Sequence, residues 1–282
     1  MNDSAQTRLR RVTSRQNALL KDLRRAFAQG ELTADGYCAI ESVRIVEEAI
    51  RSGLKLRAVL FSESAEARAG RLLPQIGSHV ETVVVPDEVF ASAVATENPQ
   101  GVAALVKLKE ISLEGLLAAS SPLLVVAAGL QDPGNLGTIL RSAEAFGATG
   151  VLLCAGTVSP FNPKLVRASA GSLFRLGVLQ TELPTLLPQL RQRGLRLVAT
   201  SSHKGVPLPS AHLSNALALF VGNEGSGLAR DLLNEMDETV VVPHSARVES
   251  LNAGVATSIV LYEISRQRDA RLATRGSQLA TL

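Results

Sequence analysis

Continuous apolar runs that alternate with helical segments restrict most strongly how the second half of this chain can fold. Five runs of four to six residues follow residue 122, at 123–128, 151–154, 195–200, 217–221 and 239–242. Strands that are apolar on both faces are buried on both faces, which is typical of parallel sheets covered by helices. The pattern therefore predicts a parallel α/β domain.

A smaller α/β unit is predicted in front of this domain. Four apolar runs, at 37–40, 56–61, 80–85 and 102–106, alternate with helical stretches at 42–51 and 65–73. Residues 108–121 mix charged residues, small residues and helix formers, and no strand pattern crosses them. We therefore predict a front domain over 1–107, a linker over 108–121, a second domain over 122–270 and a C-terminal tail over 271–282.

The composition argues against membrane and metal proteins. No apolar run approaches the roughly 20 residues of a membrane helix, and the N-terminus is polar and basic without a signal-peptide core. Cys38 and Cys154 have no nearby His or Cys with which to bind a metal ion. We expect a cytoplasmic protein with two buried free thiols and with no membrane or metal partner.

Basic residues crowd the first 25 residues, although the net charge of the whole chain is only +3. Arg8, Arg11 and Arg15 lie in this stretch with four further basic residues, against only Asp3 and Asp22. A phosphate-rich partner is one interpretation of the stretch. A solvated helix face is the other, and the residues alone leave both open.

Residues 131–141 form the first motif, Gln-Asp-Pro-Gly-Asn-Leu-Gly-Thr-Ile-Leu-Arg, in which a Pro-Gly turn leads into an amphipathic helix. We expect Asn135 to cap that helix and Arg141 to lie with Thr138 on the face opposite the core. An arginine near a helix N-terminus, at the carboxyl end of a strand, is well placed to bind an anion. A surface arginine without a ligand is the alternative.

The second motif is a glycine-rich turn at 220–227, Phe-Val-Gly-Asn-Glu-Gly-Ser-Gly, at the end of a buried run. Its glycines allow the backbone to approach a ligand closely, and Glu224 is an unusual residue for a simple connection. The spacing fits neither the dinucleotide-binding pattern nor the phosphate-loop pattern. A nucleoside triphosphate site is therefore disfavoured.

The third motif runs from Val242 through Ser250-Leu251-Asn252 into a helix. We expect Ser250 to cap this helix, and Leu251, Val255, Ile259 and Tyr262, which recur at helical spacing, to face inward. Asn252 would then remain free to hold a ligand or a neighbouring loop. A further polar block at 162–174 is predicted to start a helix at Pro163, with Lys164 and Arg167 on one side.

These motifs, in this order and spacing, resemble the SpoU (TrmH) family of RNA ribose 2'-O-methyltransferases over about residues 122–268. The block at 162–174 is also similar to that family, and residues 13–106 resemble the L30e-like substrate-binding domain that many members carry. The resemblance implies a trefoil-knotted α/β methyltransferase domain behind a smaller L30e-like α/β domain. It also implies a homodimer, S-adenosylmethionine as cofactor and RNA as substrate.

The resemblance assigns roles to particular residues. It implies that Thr200, Gly222, Val242 and Leu251 surround the cofactor, and that Asn135, Arg141, Glu224, Ser250 and Asn252 form the catalytic set. The family pattern makes Arg141 the base, but a guanidinium gives up its proton poorly. We interpret Arg141 chiefly as a clamp for a substrate phosphate, and a direct base role stays open. Arg8, Arg11, Arg15, Arg141 and Arg167 are the expected RNA contacts.

Two positions depart from the family pattern. This chain has Ser-Leu-Asn-Ala-Gly-Val-Ala at 250–256 where many members have Ser-Leu-Asn-Val-Ser-Val-Ala, and Glu41-Ser42 where Glu-Gly is expected. The first change lies beyond the catalytic residues, whereas the second could alter how the front domain meets RNA.

Several functions are compatible with the resemblance. The front domain favours ribosomal RNA of the large subunit over transfer RNA as substrate, by analogy alone. A non-catalytic RNA-binding or ribosome-assembly protein on the same scaffold is one alternative, and a tRNA 2'-O-methyltransferase is a second. Methylation of a small molecule or protein is a third, disfavoured by the basic N-terminal stretch.

Overall fold

The computed structural model describes residues 8–279, with side chains for residues 8–270. Residues 1–7 of the predicted front domain and residues 280–282 of the predicted tail lie outside the described part. The chain forms two compact units. Of the described residues, the first contains 8–110 together with Ser159–Arg175, and the second contains Ile111–Val158 and 176–279. The sequence had placed 159–175 in the second domain.

Strands and helices alternate through most of the chain. The strands are β1 Arg10–Arg11, β2 Cys38–Glu41, β3 Lys55–Ser62, β4 Glu81–Val85, β5 Val102–Lys107, β6 Leu123–Ala127, β7 Gly150–Leu153, β8 Gly177–Gln180, β9 Arg196–Ser201, β10 Val206–Pro207, β11 Leu217–Val221 and β12 Glu238–Val241. The helices are α1 Ala18–Gln29, α2 Val43–Arg51, α3 Glu66–Leu72, α4 Asp87–Ala91, α5 Leu113–Leu117, α6 Pro133–Ala145, α7 Pro163–Ala168, α8 Ser172–Arg175, α9 Leu183–Gln192, α10 Arg230–Asn234 and α11 Ala253–Leu279.

The first unit is built on a five-stranded mixed sheet in the order β1-β4-β3-β5-β2. The two pairs that involve β5 are antiparallel, and the others are parallel. Helix α1 begins at the Asn17 cap, whose side chain accepts the Leu19 N–H at 3.0 Å. Its apolar face packs against the sheet, where Leu23 and Leu105 are fully buried. This amphipathic packing fixes the core of the unit.

The second unit has a seven-stranded sheet in the order β10-β12-β9-β11-β6-β7-β8, and every pair in it is parallel. The predicted parallel α/β fold is therefore confirmed. Strands β8 and β10 were not predicted, because β8 is only half apolar and β10 has two residues. Buried leucines of α5, Leu116 and Leu117, pack in the core of this unit, so the predicted linker contains a short docked helix.

Helices α6 and α11 lie against each other in the second unit. The hydroxyls of Ser142 and Ser258 meet across them at 2.7 Å. A side chain at Gly254 would place its Cβ 3.2 Å from the Thr138 Cβ and 3.3 Å from the Asn135 carbonyl oxygen. The glycine that departs from the family pattern thus permits a close approach of the first turns of the two helices.

The apolar face of α11 differs from the sequence expectation. The buried positions are Thr257, Val260, Leu261 and Ile264. Val255, Ile259 and Tyr262, which we expected to face inward, are 47%, 36% and 56% exposed, and that expectation is wrong. Since α11 carries two apolar faces, helical spacing alone could not tell which of them packs in the core.

Among the described residues, no helix is both long enough and apolar enough to cross a membrane. Cys38 and Cys154 are buried free thiols, as predicted. Burial raises the pKa of Cys38 to about 12, and burial, helped by the nearby Glu182 carboxylate, raises that of Cys154 to about 11. Neither cysteine is therefore a reactive thiolate at neutral pH.

Ser42 carries backbone strain at the position where the family has glycine. Its φ is 89° and its ψ is 148°, a region that residues with a Cβ rarely adopt. Its side chain caps α2 by accepting the Ile45 N–H at a long 3.4 Å. Strain and a weak cap therefore occur in the same residue.

We expect Ser42→Gly to raise the free energy of unfolding by about 1 kcal/mol. The relief of backbone strain should outweigh the loss of the side-chain cap, which costs about a few tenths of a kcal/mol. Urea denaturation of the whole chain measures this. Ser112→Gly is the matched control, since Ser112 caps α5 at an ordinary φ of -106°, and it should destabilise slightly. A lower stability for Ser42→Gly would contradict the strain.

Candidate active site

A cavity of about 360 Å³ lies at the carboxyl ends of β9, β11 and β12, which are neighbours in the second sheet. Ligands of open parallel sheets bind at this edge. The four residues expected at the cofactor, Thr200, Gly222, Val242 and Leu251, all line this cavity. Two of the expected catalytic residues, Glu224 and Ser250, line it too.

The loop after β11, residues 222–228, is held in one shape by Asn223. The Asn223 backbone exchanges hydrogen bonds with Gly227 at 3.0 and 2.9 Å. Its side-chain oxygen accepts the Gly225 and Ser226 N–H groups, and its amide donates to the Gly129 carbonyl at 3.0 Å. This Asx turn closes the loop on itself.

Gly222 has no room for a side chain. A Cβ there would lie 2.3 Å from the Gly227 carbonyl carbon and 2.4 Å from the Leu228 nitrogen. Both are backbone atoms of the same loop, so a substitution would push the loop open.

One chain of hydrogen bonds joins the three motifs. The Glu224 carboxylate accepts the Asn135 side-chain amide at 3.1 Å and the backbone N–H groups of Gln131 and Asp132 at 3.2 and 2.9 Å. The Asn135 side-chain oxygen accepts in turn the Asn252 amide at 2.8 Å. Asn135 is 9% exposed, and it forms the centre of this chain.

These bonds also set the charge of Glu224. Partial burial favours its protonated form, but hydrogen bonds from the Asp132 N–H, the Asn135 amide and the Gln131 N–H act against it and lower the pKa overall. Glu224 is therefore an anion at neutral pH, and it acts as an acceptor.

The helix caps differ from those expected. Asp132 caps α6 by accepting the Asn135 N–H at 2.6 Å, and Asn252 caps α11 by accepting the Val255 N–H at 3.2 Å. The expected caps, Asn135 and Ser250, are wrong. The Asp132-Pro133 pair was a usable signal, because Pro favours the first helical position after an Asp cap.

Arg141 lies on the exposed face of α6, and no hydrogen bond or ion pair engages its guanidinium in the described part of the chain. Arg141 does not line the cavity, and neither do Asn135 and Asn252. Three titratable residues that the sequence reasoning missed do line it, namely His203, His244 and Glu249. A lone histidine in an exposed loop gives no usable sequence signal.

The other arginines expected at RNA belong to the first unit. Arg8 donates to the carbonyls of Leu73, Ile76 and Gly77 at 2.8–3.2 Å. Arg11 pairs with Glu63 and Glu66, Arg15 lies 3.6 Å from Glu88, and Arg167 lies 3.9 Å from Glu41. Arg11 and Arg15 are thus compensated by carboxylates, and the Arg8 guanidinium is bound by backbone carbonyls. No group of three or more metal-ligating side chains occurs within residues 8–270.

The parallel sheet, with a cavity at the carboxyl ends of its strands, defines an α/β protein with a candidate site for an organic ligand. Residues 122–262 match the SpoU rRNA methylase family, and residues 17–104 match the MRM3-like substrate binding domain. The chain belongs to the SpoU rRNA methylase family, which confirms the resemblance seen in the sequence.

Relatives match along almost the whole chain. A 23S rRNA (guanosine-2'-O)-methyltransferase of Bacillus subtilis is 32% identical over 256 residues, covering 91% of this chain and 99% of the relative. A 23S rRNA (uridine-2'-O)-methyltransferase of Streptomyces viridochromogenes is 30% identical, covering 92% and 93%.

Solved structures agree with this assignment. The SpoU methyltransferase AviRb from Streptomyces viridochromogenes, in complex with AdoMet, has a TM-score of 0.78 and 27% identity, covering 90% of this chain and 98% of its own. An AdoMet-bound rRNA methyltransferase from Sinorhizobium meliloti has a TM-score of 0.77 and 27% identity, covering 92% and 98%.

We expect Gly222→Ala to weaken binding of S-adenosylmethionine by about tenfold or more, because the loop at 222–228 must open to make room for the alanine Cβ. Calorimetric titration measures the affinity. Gly225→Ala is the matched control in the same loop, since a Cβ there meets nothing closer than 3.6 Å. Equal affinities for the two variants would show that the shape of the loop does not govern binding.

Proposed function

We propose that this protein transfers a methyl group from S-adenosylmethionine to a ribose 2'-hydroxyl of large-subunit ribosomal RNA. The observation that carries the proposal is the chain Glu224–Asn135–Asn252, which ties three motifs of the family together beside the cavity. The two curated relatives described above act on 23S rRNA by their names, and they match nearly all of this chain. The proposal includes a cytoplasmic location, where the protein would encounter ribosomal RNA.

The cavity fits the cofactor. Its volume of about 360 Å³ is in the range of small-molecule sites. Val240, Val260 and Leu251 supply apolar walls, and Thr200 and Ser250 supply polar groups. Gly222, where no side chain fits, leaves backbone groups to face the ligand. When bound, S-adenosylmethionine supplies an electrophilic methyl group.

Arg141 would bind a phosphate of the RNA and so position the ribose. Its guanidinium is exposed and unpaired in the described structure, and a planar fork of donors suits a phosphate. Guanidinium groups are poor proton acceptors in general, so Arg141 would act chiefly as the phosphate clamp, and the bound phosphate would assist the 2'-hydroxyl in losing its proton. Orientation then carries most of the catalytic effect.

Glu224, Asn135 and Asn252 would keep the site in shape. Each accepts or donates within this hydrogen-bond network, which would hold the three motifs in place. Ser250, exposed at the cavity, would contact the reacting ribose or the cofactor. Arg11, Arg15 and Arg167 would add RNA contacts from the first unit, and Arg8 would contribute by holding the N-terminal strand.

The protein would act as a homodimer with the knotted topology of its family. The exposed apolar residues Val255, Ile259 and Tyr262 recur at positions i, i+4 and i+7 of α11 and form one stripe. Tyr262 is fixed in place by an edge-on contact with Phe146, at 5.7 Å between ring centroids. A second copy of this chain would cover the stripe, because exposed apolar stripes of this kind mark interfaces. The loops after β11 and β12 would form the knot.

Labelled methyl transfer tests the function. The purified chain, labelled S-adenosylmethionine and total RNA from cells without this protein should give one labelled 2'-O-methylnucleotide after nuclease digestion and mass mapping, in large-subunit RNA. A labelled transfer RNA would overturn the choice of substrate. Cofactor binding without any transfer to RNA, or no cofactor binding, would overturn the proposed reaction.

Arg141→Ala should lower the rate of methyl transfer by about 100-fold or more, because the ribose loses its positioning. Affinity for S-adenosylmethionine should stay unchanged, since Arg141 does not line the cavity. Arg193→Ala, at an exposed arginine of the same unit, should leave both measurements unchanged. Parallel losses of rate and affinity in Arg141→Ala would refute the proposed role.

Ile259→Lys should convert the dimer to a monomer, because it places a charge in the centre of the exposed stripe. Sedimentation of the full chain measures the mass. Leu32→Lys, at an equally exposed apolar residue of the first unit (38% against 36%), should keep the dimer. A monomeric wild-type chain would contradict the proposed assembly.

A further inference from the structure

Glu41, the last residue of β2, is a buried carboxylate in the first unit. Its side chain is only 2% exposed. The Thr96 hydroxyl donates to Glu41 Oε2 at 2.8 Å, and Arg167 Nη1 lies 3.9 Å from the same oxygen. A buried carboxylate requires compensation, and within the described residues Arg167 is the one cation in ion-pair distance of it.

Arg167 is held in place but is not satisfied. Helix α7 is capped by Asn162, whose side chain accepts the Lys164 N–H at 2.9 Å, and its Leu165 and Val166 are buried. Arg167 Nη1 is buried and lacks a hydrogen-bond partner. At 3.9 Å the pair with Glu41 attracts, but it is too long to be a hydrogen bond.

Other arginines of the unit are paired more closely. Arg175 and Arg51 both lie 2.9 Å from Glu48 oxygens, and Arg57 lies 3.1 Å from Asp22. Arg167 therefore differs from these residues: its buried Nη1 lies 3.9 Å from Glu41 without a hydrogen bond, and no hydrogen bond engages the rest of its guanidinium among the described residues. A third of its side chain is exposed, and Lys164 lies exposed one turn before it on the same side of α7.

The Arg167 guanidinium lies near Glu41 on one side and is exposed to solvent on the other. A guanidinium with unbonded donors can bind an oxyanion through two acceptor oxygens. We propose that Glu41 is a positioning residue that holds the Arg167 guanidinium ready to bind a phosphodiester of the substrate RNA. This inference rests on the proposed function. Glu41 itself does not touch the RNA and acts through Arg167.

Two roles of Glu41 are distinguished by whether its removal tightens or weakens RNA binding. A carboxylate that only neutralised Arg167 would oppose RNA binding, and its removal would tighten binding. A carboxylate that orients Arg167 supports binding, and its removal weakens binding. Glu41→Gln keeps the size of the side chain and an acceptor for Thr96, so it removes the charge with little change of shape.

The test uses the full chain and large-subunit rRNA transcribed in vitro. Glu41→Gln should raise KM for this RNA by about tenfold, the size of a lost charge-assisted contact, with kcat and S-adenosylmethionine affinity unchanged. In an Arg167→Gln background the same change should have no further effect. Arg167→Gln should also reduce the slope of log affinity against log salt by about 1.

Glu48→Gln is the matched control, because Glu48 serves arginines in ordinary ion pairs of the same unit, and its KM should equal that of wild type. A lower KM for Glu41→Gln, or the same rise of KM in the Arg167→Gln background, would overturn the proposal. If Glu41→Gln does not fold, Arg167→Lys replaces it, and an unchanged KM would then overturn the proposal. A wild-type chain that transfers no methyl to this RNA would instead refute the proposed function.

Discussion

The hydrogen bonds that converge on Asn135 are the interaction on which the arrangement of the candidate active site depends. Glu224 and Asn252 are far from Asn135 along the chain, at sequence separations of 89 and 117 residues. A side-chain amide can accept and donate at once, so one buried asparagine links a carboxylate on one loop to an amide at the start of α11. Neither partner could be replaced by an apolar residue without leaving a polar group of Asn135 unsatisfied.

Charge has different uses in the two units. In the first unit most arginines near the N-terminus pair with glutamates or bind backbone carbonyls, which gives stability and order more than an attractive field. In the second unit Arg141, on α6, is exposed and makes no ion pair among the described residues. A count of basic residues along the chain therefore gives little information about where an anionic ligand would bind.

Nine of the twelve strands and the motif residues could be read from the sequence, because most buried strands are continuous apolar runs and the motifs follow them directly, whereas the short or half-apolar β1, β8 and β10 could not. The caps could not be assigned, since Asp132, Asn135, Ser250 and Asn252 are all residue types that cap helices, and tertiary hydrogen bonds decide among them. The outward face of α11 was misassigned because two apolar faces share one helix. The ion pairs of Arg11 and Arg15 join residues distant in sequence, which no local pattern discloses.

Segment 159–175 leaves the second unit after Val158, belongs to the first unit, and returns at Leu176. Its ties to the first unit include the Ser159 hydroxyl on the Gly30 carbonyl at 2.6 Å and the Arg175–Glu48 ion pair. The boundary between the units is thus crossed three times by the backbone. Suppose that the front domain were exchanged for that of a relative as one contiguous segment. The exchange would separate these seventeen residues from their partners in the first unit. A functional exchange of the front domain would therefore have to carry residues 159–175 with it.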